Sequence, residues 1–147
     1  MTDSMDGMTL CALWDHMAQS HANDEFLIFH GADERELSFT YGQFDARINQ
    51  AANLFLEAGI RKGDTVAVHL CTSVEFMVCL FGLAKIGGIM VPVNEQNLQD
   101  ESLYVLQKCS ARMVVTEADP AHRTVRKINA EPAAREYARL LGKDPGQ

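Results

Sequence analysis

Hydrophobic positions recur at three- and four-residue intervals through Leu10, Leu13, Trp14 and Met17, which predicts an amphipathic helix running to about His21 with Thr9 as its cap. Phe26-Leu27-Ile28-Phe29 is a short continuous apolar run. Leu37-Ser38-Phe39 alternates, and Gly31-Ala32-Asp33-Glu34 between them reads as a turn, so a β-hairpin is expected. Thr40-Tyr41-Gly42-Gln43 then has the spacing of a capping box. The helix it opens places Tyr41, Phe44, Ile48, Ala51, Ala52 and Phe55 on one stripe, and Gly59 is suited to end it in a left-handed conformation.

Beyond Gly59 the pattern changes. Thr65–Leu70 is rich in β-branched residues and predicts a strand. Thr72-Ser73-Val74-Glu75 reads as a second capping box. The helix after it is apolar on nearly every side, so it must be covered on more than one face. Gly87-Gly88 stops it, and 89–93 is the next strand, with Pro92 limiting its pairing. A helix opens near Asn97 or Gln99-Asp100 with Leu103, Leu106 and Cys109 inward, and 111–116 is a further strand. Strand, helix, strand, helix, strand with short connections is a βαβαβ unit, and its continuous apolar strands predict a parallel sheet covered on both faces. The fold class is therefore α/β: a β-hairpin and helices leading into a parallel βαβαβ layer.

The chain has 147 residues, enough for one domain with a buried core. Its net charge is −7, which argues against nucleic-acid binding, since phosphate contacts need a basic footprint. The charge is uneven: 7 Lys/Arg against 17 Asp/Glu up to residue 120, then 6 against 3 from 121 to 147. That shift marks a boundary between a domain at 9–119 and a basic tail at 120–147, in which 131–142 can form a short helix, and the stretch 1–8 before the domain is expected to be disordered. The longest apolar run, 74–86, has 13 residues and holds Glu75 and Lys85, too short and too charged to span a membrane. Cys11, Cys71, Cys79 and Cys109 show no C-x-x-C spacing and read as buried, reduced thiols of a cytosolic protein.

Few residues suggest chemistry. Gly82 and Gly87 have the glycine spacing of a phosphate loop, but no Lys-Ser/Thr follows, and the segment closes a helix instead of opening one. A tight helix-to-strand turn accounts for those glycines. His16 and His21 are five apart and do not share a helix face; no metal-ligand spacing is present. His69 is either a general base or a histidine at the edge of the core. Asp64 reads as a turn residue and Glu75 as a first-turn helix acid. The residues alone thus predict an α/β domain with no visible catalytic set.

Several stretches do carry a resemblance. Phe39-Thr-Tyr-Gly-Gln-Phe44, then 58–68 with Glu75-Phe76, then 81–94 ending Val91-Pro-Val-Asn94, and the strand ending Val114-Val115-Thr116 resemble, in order and spacing, the acyl-adenylate-forming acyl-CoA synthetases. The 81–94 stretch is especially similar to crotonobetaine/carnitine–CoA ligases within that superfamily. Thr72 and Val74 depart from the Asn and Pro usual there, and the tail after Pro120 matches less well. The resemblance implies the first part of the large N-terminal synthetase domain. It also implies a reaction that joins a carboxylic acid to ATP as an acyl-adenylate and then passes the acyl group to coenzyme A. ATP, Mg²⁺ and CoA are the family's cofactors. The phosphate loop with its Lys, the Thr-Glu pair, the ribose-binding Asp and the mobile-domain Lys have no counterpart in these residues. The expectation is a truncated chain, inactive alone and binding no cofactor tightly. The alternative is a non-catalytic module that self-associates or docks on a longer synthetase. Within the region present, the resemblance places the Pro92-Val93-Asn94 turn near the pantetheine arm of CoA; a packing turn is the other reading.

Overall fold

The computed structural model describes residues 7–31, 35–94, 96–97, 99–117 and 125–129. Most of the hairpin turn expected at 31–34, most of the stretch expected to be disordered at 1–8 and the helix expected in the tail lie outside the described residues.

Helix α1 (Leu10–Ser20) starts where Thr9 accepts a hydrogen bond from the Ala12 N–H. Strands β1 (Glu25–His30) and β2 (Glu36–Thr40) form the antiparallel hairpin. Helix α2 (Tyr41–Glu57) opens with the full capping box: Thr40 Oγ1 accepts from the Gln43 N–H, and Gln43 Oε1 accepts from the Thr40 N–H. It ends at Gly59, whose φ of +86° is the left-handed value glycine adopts freely, and the Ile60 N–H returns to the Phe55 carbonyl.

Strand β3 (Thr65–His69), helix α3 (Val74–Lys85), strand β4 (Ile89–Pro92), helix α4 (Gln99–Lys108) and strand β5 (Met113–Glu117) follow in the expected alternation. The cap of α3 differs from the expected one. Ser73, not Thr72, accepts from a first-turn amide, that of Phe76 at 3.2 Å. Both residues can cap; only the one whose side chain faces the turn does. A strand the sequence reading did not foresee, β6 (Val125–Asn129), pairs antiparallel with β5.

The sheet order is β4-β3-β5-β6, with β3 parallel to both β4 and β5. Successive strand residues face opposite sides. Val66, Val68, Met113 and Val115 therefore meet Cys79 and Leu83 of α3 on one face, while Ala67 and Val114 meet Leu106 of α4 on the other. The two crossovers run in opposite directions along the sheet and lie on opposite faces, as a shared right hand requires.

A second apolar cluster lies between α1, the hairpin, α2 and α3. Trp14, Phe26, Tyr41, Phe44 and Phe81 form it, with ring centroids as close as 4.7 Å for Trp14 and Phe81 and 4.8 Å for Trp14 and Phe26. The expectation that α3 is covered on more than one side is met: Cys79 and Leu83 serve the sheet, and Val74, Met77 and Phe81 serve the aromatic cluster. Asp45 ties the three helices together. Its Oδ1 accepts from Trp14 Nε1 at 2.8 Å and from Lys85 Nζ at 3.5 Å, and its Oδ2 accepts from Asn49 at 2.8 Å. Lys85 also donates to Asp15 at 3.2 Å. Burial pulls the Lys85 ammonium down, but the Asp15 and Asp45 carboxylates together raise it above its ordinary value.

Asp64 fixes the turn into β3. Its Oδ2 accepts from the Arg61 backbone N–H at 2.7 Å, and both its oxygens lie 3.2 Å from the Arg112 guanidinium. The Arg61 amide first, and then Arg112, hold its carboxyl below the ordinary 3.8, against the opposing pull of desolvation. A depressed folded value means that the ionised form stabilises the fold. That stabilisation is complete above the unfolded value and fades as pH falls through the folded one. Asp64→Asn should therefore lower the thermal midpoint at pH 7, and the gap from the parent should close as pH drops below the ordinary carboxylate range. A gap that persists unchanged well below that range would show that Asp64 acts through its shape alone.

Candidate functional site

In parallel α/β sheets, ligands gather at the carboxyl ends of the strands, where the order of connection reverses. Here that place is the end of β3, between β4 and β5. Pro92, Val93 and Asn94 leave β4 at this edge. Val93 is buried in the cluster with Ala67 and Leu106, and its N–H donates to the Val68 carbonyl at 2.9 Å. It anchors the turn, whereas Pro92 and Asn94 are exposed beside it. Asn94 Oδ1 accepts from the Gln96 N–H at 3.0 Å, which folds the chain back toward α4. His69 is half-buried at the end of β3, with Nδ1 3.3 Å from Oγ1 of buried Thr116 on β5. The structure thus brings His69, Thr116, Pro92 and Asn94 to one edge.

The glycines singled out in the sequence have two separate structural duties. Gly87 has φ +73° and makes the helix-to-strand turn, with its carbonyl accepting from the Gly63 N–H at 2.8 Å. Gly82 is not in the turn. It lies buried inside α3 against α2, where an added Cβ would come within 3.0 Å of Ala51 Cβ and 3.3 Å of the Ala52 nitrogen. Neither glycine presents amides in a phosphate cradle. Glu75 sits in the first turn of α3, as expected. Among the described residues, no group of three or more His, Cys, Asp and Glu side chains could hold a metal ion, and no helix is long and apolar enough to cross a membrane.

None of the four cysteines is in a disulfide, and only Cys79 is buried; Cys11, Cys71 and Cys109 are half-buried. Burial first, and then the Glu75 carboxylate, push the Cys79 thiol up to about 12, so it stays protonated at neutral pH and is not a nucleophile.

Sequence reasoning missed a cleft of about 670 Å³ between α2, α3 and β5. Met113 and Val115 form its floor, and Ala51 and Leu54 of α2 and Val78 and Cys79 of α3 form its walls. Exposed Arg47, Glu57 and Glu75 line it with charge. Its signal in the sequence was slight: Leu54 stands on α2 outside the stripe that builds the core and is left exposed at the rim of the cleft.

Comparison with known proteins bears on this geometry. The AMP-binding enzyme family matches residues 14–144. The chain is 43% identical over 125 residues to the crotonobetaine/carnitine–CoA ligase of Citrobacter koseri, a match covering 84% of this chain and 24% of that one. The ligase of the same name from Salmonella typhimurium is 42% identical over 132 residues, covering 88% and 26%. Among solved structures, the N-terminal subdomain of Klebsiella oxytoca NpsA superposes with a TM-score of 0.66 at 28% identity, covering 74% of this chain and 27% of that one. A Mycobacterium tuberculosis fatty acyl CoA synthetase gives a TM-score of 0.64 at 27% identity, covering 72% and 20%. The chain spans about a quarter of the length of the curated relatives it matches, and its hairpin and parallel layer are the corresponding part of the adenylate-forming synthetase fold. By the extent of the family match and by its identity to these ligases, the chain belongs to the AMP-binding enzymes.

Proposed function

We propose that the chain is the N-terminal part of an ATP-dependent acid–thiol ligase acting on a carnitine-like carboxylate, and that these 147 residues alone do not perform the reaction. The observation that carries the proposal is the 43% identity to a crotonobetaine/carnitine–CoA ligase over 84% of the chain. ATP would activate the carboxylate as an acyl-adenylate, and CoA would take the acyl group. The first step requires donors and cations that hold a triphosphate while its charge redistributes. The one glycine pattern that invites comparison with a phosphate loop is taken up by the α2–α3 contact and the turn into β4.

What this part would contribute is position. The buried Val93 and its bond to Val68 fix the Pro92-Val93-Asn94 turn at the strand ends, where exposed Pro92 and Asn94 offer surface to the pantetheine arm of CoA. Four cysteines outside any disulfide fit a reducing compartment, and we place the protein in the cytoplasm.

The test has two arms. The 147-residue chain, given ATP, Mg²⁺, CoA and crotonobetaine or carnitine, should release no pyrophosphate. A chimera that joins this chain to the remainder of the Citrobacter koseri ligase should release it in a carnitine- or crotonobetaine-dependent manner. Turnover by the chain alone would overturn its dependence on further sequence. A folded but inactive chimera would overturn the ligase assignment.

A further inference from the structure

We draw no further inference here: the strongest candidate, the polar side-chain cluster of half-buried His69 and buried Thr116 at the carboxyl ends of β3 and β5, belongs to the candidate site already described.

Discussion

Phe44→Ala is expected to remove a large share of the stability of this chain. Phe44 is fully buried and faces Phe26, Phe39 and Phe81, with ring centroids 5.0 Å, 5.9 Å and 6.3 Å away, as well as Trp14. Truncating a buried phenylalanine costs about 3–5 kcal/mol, of which part is lost transfer energy and part is the cavity left behind. Domains of this size have about 5–15 kcal/mol in total. The upper part of the cost applies here, because the surrounding rings are rigid and come from α1, β1, β2 and α3, so no single element can move in to fill the space. Urea titration followed by the fluorescence of Trp14, the one tryptophan, should show the midpoint shifted sharply down or the transition already begun without denaturant. A loss under about 1 kcal/mol would show that Phe44 is not held in a rigid, closely packed site.

The second large effect is expected at Gly82. Replacing a glycine in mid-helix with alanine ordinarily stabilises by about 0.5–1 kcal/mol. Here the new methyl would stand 3.0 Å from Ala51 Cβ and 3.3 Å from the Ala52 nitrogen, too close for either group to yield without α2 shifting. Gly82→Ala should therefore come out near neutral or slightly destabilising. Gly82→Val adds two more carbons at the same contact, and overpacking of this kind costs about 1–3 kcal/mol, occasionally more. Because α2 and α3 are pressed together there, Ala51→Gly in the same chain should recover part of the loss. Non-additivity of the pair in a double-mutant cycle, measured by chemical denaturation, is the outcome that ties the effect to this contact. Simple additivity would place the cause elsewhere on α3.

What could be read from the sequence followed the range of the interactions involved. The starts of α1 and α2 were legible because capping is local: Thr9 and Thr40 lie next to the amides they serve. The start of α3 was misplaced by one residue because Thr72 and Ser73 are adjacent and both capable, and Glu75 three places after Thr72 completed a plausible box. Strands β3, β4 and β5 were legible from their unbroken apolar runs. Strand β6 was not, since Val125-Arg126-Lys127-Ile128-Asn129 has a basic centre, and its pairing is supplied by the edge of β5. The sheet order could not be read either, because it depends on which side each crossover takes. The buried place of Val93 and the exposed places of Pro92 and Asn94 were beyond the sequence for the same reason. The family could be read from a run of short stretches, chiefly 81–94, in which turn glycines, a strand and a helix end occur together at fixed spacing.

The sheet core and the aromatic cluster draw on the same helix. Residues of α3 alternate between them, Cys79 and Leu83 toward one and Val74, Met77 and Phe81 toward the other. Damage done to either side is thus passed through a shared wall. The hairpin is no detachable ornament on a self-sufficient sheet, and an engineer who trims it away to make a smaller scaffold would be removing half of the support beneath what is kept.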